Sequence, residues 1–121
     1  MKLVLPATAP DGADVTLSPI RPLPFDLDRW RDTLVGTRGT RVLARERLKT
    51  EDGWWVAVIV SKPEDGGALR VQGFYDLFDR VCCVTLSNVD SLDAARAYLV
   101  AATVDVRTDE LVALSELWEP A

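Results

Sequence analysis

The sequence predicts an α+β domain: an antiparallel sheet, built from a four-strand central meander plus short N-terminal strands, with two helices packed on it. Three observations predict it. Four successive segments between residues 40 and 88 alternate apolar with polar residues or run continuously apolar. Turn residues separate them at Glu51-Asp52-Gly53, at Pro63 to Gly67 and at Asp79-Arg80. Apolar spacing of three and four falls outside that block, at Leu27, Trp30 and Leu34 and at Leu92, Ala95, Leu99 and Ala102.

Residues 2–5 and 14–18 read as short strands around the turn Pro10-Asp11-Gly12. Pro22 and Pro24 make 19–25 an extended connector. Asp26 is the expected N-cap of the first helix, and Gly36 its C-cap. Residues 40–49 read as a strand with one wet face, because Arg41, Arg45 and Arg47 punctuate β-branched and aliphatic residues. Trp54 to Val60 is apolar at every position, so both faces need cover, or one face binds something. Ala68 to Leu77 places Leu69, Val71, Gly73, Tyr75 and Leu77 on one face and Arg70, Gln72, Phe74 and Asp76 on the other. Arg80 to Asn88 is the fourth strand of the meander. Asp90 or Ser91 caps a second helix over 92–102, and Leu111, Leu114 and Trp118 mark a short third helix or a docked tail.

At 121 residues the chain fits one domain, 1–121. Its 48% hydrophobic and 27% charged residues exclude a disordered or low-complexity class. The net charge of −5 opposes general nucleic-acid binding, which draws its affinity from neutralised phosphates. The charge is uneven: Arg38, Arg41, Arg45, Arg47 and Lys49 stand against Glu46 alone in the window 37–49. That window reads either as a solvated strand face with Arg stems over apolar surface or as a holder for an acidic partner or a phosphate. No apolar window approaches the ~20 residues that span a bilayer, so no stable membrane insertion is expected. The apolar stretch before Pro6 is too short for a signal-peptide core, which leads to a cytoplasmic expectation.

Histidine is absent, which removes Ser-His-Asp and Cys-His catalysis and His-containing zinc sites. Cys82 and Cys83 are adjacent, so in a strand they point to opposite faces and read as small packing residues. Asp76 and Asp79 match no metal loop and read as turn residues. Ser87 and Ser91 lack a base in their sequence context. No catalytic residue, metal site or cofactor is therefore expected. The vicinal Trp54 and Trp55 stand out, because at most one can enter a helix-covered core. The other is an interface anchor, or it is covered by the N-terminal strands or the tail.

Gly53-Trp54-Trp55-Val56-Ala57-Val58 opens a strand. A polar hairpin, Leu69 to Tyr75, Asp79-Arg80 entering an apolar strand, and a helix ending near Val100 follow it. That succession, over roughly residues 25–105, resembles the PsbP-like α/β/α sandwich family. It is most similar to small bacterial members that serve as effector-associated chaperones of type VI secretion. The basic strand 41–49 has no counterpart in that pattern. The resemblance implies a non-catalytic, cytosolic and typically dimeric protein that shields hydrophobic helices of a secreted effector in an apolar groove. A hydrophobic helical segment of another protein is then the expected partner, and a homodimer fits the same reading. Trp55, Val58, Phe74 and Cys83 are the candidates for the groove face. The alternative is an adaptor or immunity-like protein that binds a folded partner through the basic strand, with Arg45 and Arg47 as its contacts.

Overall fold

The computed structural model describes residues 1–22, 40–64, 66–78 and 80–105. Its centre is an antiparallel ladder of β4 (Thr40–Lys49), β5 (Trp55–Pro63), β6 (Leu69–Asp76) and β7 (Arg80–Val89). Two earlier strands, β2 (Asp14–Leu17) and β3 (Arg21–Pro22), both pair with β7. The six strands run in the order β2-β7-β6-β5-β4, with β3 beside β2 on β7. A separate two-stranded ribbon joins β1 (Lys2–Val4) to β8 (Thr103–Asp105). One helix, α1 (Leu92–Val100), is found among the described residues.

The expected architecture, a four-strand meander plus short N-terminal strands with two helices packed on it, is thereby corrected. The described chain is mostly antiparallel sheet with one helix. The strands between 40 and 89 are not a complete sheet, because β2 and β3 extend it on β7 and satisfy that strand's outer backbone groups. β8 carries too few residues for an alternation to register in the sequence. The expected first helix at 27–34, Asp79 of the last turn and the tail at 108–118 lie outside the described residues.

Chain chemistry explains the elements that position the surface. Val56 to Val60 on β5 are all buried, as a continuous apolar run requires when both sheet faces are covered, and the polar Ser61 after them is buried too. On one face Val56, Val58, Val60, Val71, Tyr75, Val84 and Leu86 pack with Ala95 and Leu99 of α1. On the other, Ala57, Ile59, Phe74, Val81 and Cys83 form a second cluster, with Val42 against it.

The Ser91 hydroxyl accepts the Ala94 N–H at 3.2 Å and starts α1, and Asp93 sits favourably in its first turn. The last carbonyls of a helix lack helical donors. Here the Tyr75 hydroxyl donates to the Leu99 carbonyl at 2.7 Å, and the Glu51 N–H donates to the Val100 carbonyl at 3.1 Å. Gly73 lets the helix come this close, since a Cβ there would lie 2.9 Å from Leu99 Cδ2 and 3.2 Å from Val56 Cγ1. On the same side Arg96 donates Nε and Nη2 to the Glu46 carboxylate at 2.6 and 3.0 Å, which ties α1 to β4.

Candidate functional site

β4 lies at the end of the strand order and pairs only with β5 among the described residues. Glu46 faces α1, so its neighbours Arg45 and Arg47 point to the other side of the sheet, and Lys49 follows them. The ladder sets Arg45 against Ile59, Arg47 against Ala57 and Lys49 against Trp55. Arg45, Arg47 and Lys49 are exposed. Trp55 is 46% exposed, with Arg47 Cζ 5.8 Å and Lys49 Nζ 5.3 Å from its ring centroid. Both distances are within reach of a cation–π attraction. The exposed ring and the two cations beside it present an apolar body and positive charge where β4 ends and β5 begins.

The hairpin that carries this edge is tightly specified. The Thr50 hydroxyl accepts the Trp54 N–H at 2.8 Å and donates to Asp52 Oδ1 at 2.6 Å, while Asp52 Oδ2 accepts the Val104 N–H at 2.9 Å. Desolvation raises the Asp52 pKa, but these bonds, with its own backbone N–H and the Trp54 side chain, outweigh it and hold the carboxyl below its ordinary range. The turn therefore anchors β4 and β5 to β8.

The remaining expected groove residues do not reach the surface. Val58 is 0% exposed and lies on the helix-facing side, opposite to Trp55. Phe74 and Cys83 are cross-strand partners on the same side as Trp55, but they are 0% and 7% exposed within the second cluster. Trp55 alone of the four is available to a partner. The two tryptophans divide as their alternation requires: Trp54 is half-buried against the helix-side core and Trp55 is outside it. Cys82 and Cys83 are free and buried. Burial pushes both thiols up, Cys83 to about 11, with opposing contributions from Thr85 and Arg70 at Cys83. Neither is a poised nucleophile.

Two features escaped the sequence. Lys49 was seen only as one charge in the basic window, whereas the register makes it the partner of Trp55. Phe78 is 83% exposed at φ 70°, a left-handed conformation that costs a bulky residue energy. The Leu77 N–H to Arg80 carbonyl bond of 2.9 Å and the Phe78 N–H to Asp76 Oδ1 bond of 3.1 Å hold it there. Its ring meets Trp54 edge-on at 5.4 Å. Asp79-Arg80 marked the turn itself, but with no Gly or Asn at position 78 the sequence carried no signal for the left-handed backbone there.

No helix among the described residues is long and apolar enough to cross a membrane. No family model, curated protein or solved structure matches the chain.

Proposed function

We propose that this chain is a non-catalytic binding module, an adaptor that engages an acidic protein partner through β4 and Trp55. The observation that carries the reading is Trp55, 46% exposed at the start of β5 beside Arg47 and Lys49 of the edge strand β4. Trp and Arg are enriched among residues that dominate protein interfaces, and at the start of β5 nearly half of the Trp55 surface stays in solvent. A locally basic strand on a chain of net charge −5 also steers acidic partners to this edge and away from the rest of the molecule.

The helix-shielding chaperone reading needs an exposed apolar groove. Val58, Phe74 and Cys83, its groove candidates, are buried. The adaptor reading asks only for exposed β4 residues and Trp55, so it is the better supported. A cytosolic setting remains part of the proposal, and the two free cysteines, Cys82 and Cys83, are compatible with it.

The test is capture of partners on the immobilised full chain, with Trp55→Ala and Lys49→Glu run in parallel and salt varied. A partner bound by the parent chain is expected to weaken roughly thirtyfold on Trp55→Ala, as for an interface hot spot. It is also expected to dissociate as salt rises. A partner retained equally by both variants and indifferent to salt would sink the proposal.

A further inference from the structure

At the end of β4 remote from Trp55, Arg41 and Lys62 are direct cross-strand partners. Two cations set opposite each other in a ladder repel. Both are exposed, and neither has an ion-pair partner among the described residues. Both line one cleft, together with Leu43, Pro63, Glu64 and Gly66. The register jumps between Val42 and Ala44, so Leu43 sits in a β-bulge and is 48% exposed. A bulge re-aims side chains, and this one leaves an aliphatic side chain beside the two cations.

We propose that this cleft binds a carboxylate carried on a short branched aliphatic group. Arg41 offers a planar fork of donors that matches a carboxylate, and Lys62 supplies a second positive charge from the facing strand. Leu43 and Pro63 provide apolar surface for the aliphatic part. Glu64 lines the same cleft and repels a dianion more than a single charge, which favours a monocarboxylate over a phosphate dianion. Without an anion, Arg41 and Lys62 are like charges at directly paired, exposed strand positions. With one, both cations share a counter-charge. The site is independent of the Trp55 edge, since it lies at the other end of the strand.

Amide NMR titration of the full chain tests this, with isovalerate, with an acetylated and amidated Leu-Glu dipeptide, and with inorganic phosphate, all at matched chloride. Saturable shifts centred on Arg41, Leu43 and Lys62 are expected for the two carboxylates, and weaker ones for phosphate. Tighter binding of isovalerate identifies a free acid as the ligand source, and tighter binding of the dipeptide an acidic protein segment. Arg41→Gln and Lys62→Gln should each weaken binding about fivefold. Lys62→Gln should also raise the Tm of the ligand-free chain by about 1–4 °C, because it relieves the repulsion. Phosphate binding as tightly as either carboxylate, or shifts that persist unchanged in both variants, would overturn the proposal. So would the absence of saturable shifts with every probe.

Discussion

β4 and β5 pair from Thr40–Pro63 to Lys49–Trp55, yet solvent reaches them very differently. On β5 every residue from Val56 to Ser61 is buried. On β4 every second residue from Arg41 to Lys49 is exposed. β5 has a strand on each side and packed side chains on both faces, whereas β4 has one described neighbour. Place in the strand order, more than residue type, therefore decides which side chains a partner can touch. Position along a strand matters too: on one face Phe74 is a central core residue, whereas Trp55 opens β5 one residue before its pairing with β6 begins and is exposed.

The comparison can be broken most severely in the centre. Phe74→Asp would bury a carboxylate in the second cluster, at a cost of more than about 4 kcal/mol. That rivals the whole stability of a small domain, so the variant should show no cooperative thermal transition. A normal melt would mean that this face is not closed. Gly73→Ala should cost about 1–3 kcal/mol by pressing on Leu99 and Val56, read as a lower urea midpoint with an unchanged slope.

Tyr75→Phe should cost about 1–2 kcal/mol by leaving the Leu99 carbonyl without its donor. Burial, then the neighbouring Cys82, Tyr98 and Cys83, push the Tyr75 pKa far up, so the hydroxyl remains a neutral donor and this cost should not vary with pH across the neutral range.

The turn at the end of β4 sharpens the comparison through pH. Asp52→Asn should cost about 1 kcal/mol at neutral pH, modest because the carboxylate is exposed. The folded-state pKa of Asp52 is depressed below its ordinary 3.8. Its contribution is therefore fully present above that value and is lost as pH falls through the folded value. Chemical-denaturation curves of parent and variant should converge at strongly acidic pH and separate above it. Smallest of all, Lys49→Ala should change stability by no more than about 0.5 kcal/mol, since its cation–π contact with Trp55 is exposed. A larger loss would place Lys49 in the fold rather than on its surface.

Much of the ladder was legible. The unbroken apolar run after Gly53 marked β5, the alternation after Ala68 sorted Phe74 from Tyr75, and Ser91 marked the start of α1. The candidate site was legible only in part. Arg45, Arg47 and Trp55 are exposed as a docking edge needs, but nothing in the pattern distinguished Phe74 and Cys83 from surface residues. Period-two alternation tells which residues share a face and is silent on whether another layer closes that face.

The sequence by itself determined the pleat: which residues alternate, where the central hairpins turn, and that the two cysteines and two tryptophans point to opposite sides. Those are local consequences of backbone sterics and side-chain period. Only the tertiary structure decided that β2 and β3 join β7, that Trp55 stays exposed while Val58 and Phe74 lie inside, that Lys49 faces Trp55, and that Arg41 faces Lys62. Strand order, register and burial arise from contacts between residues distant in the chain, and no local period encodes them.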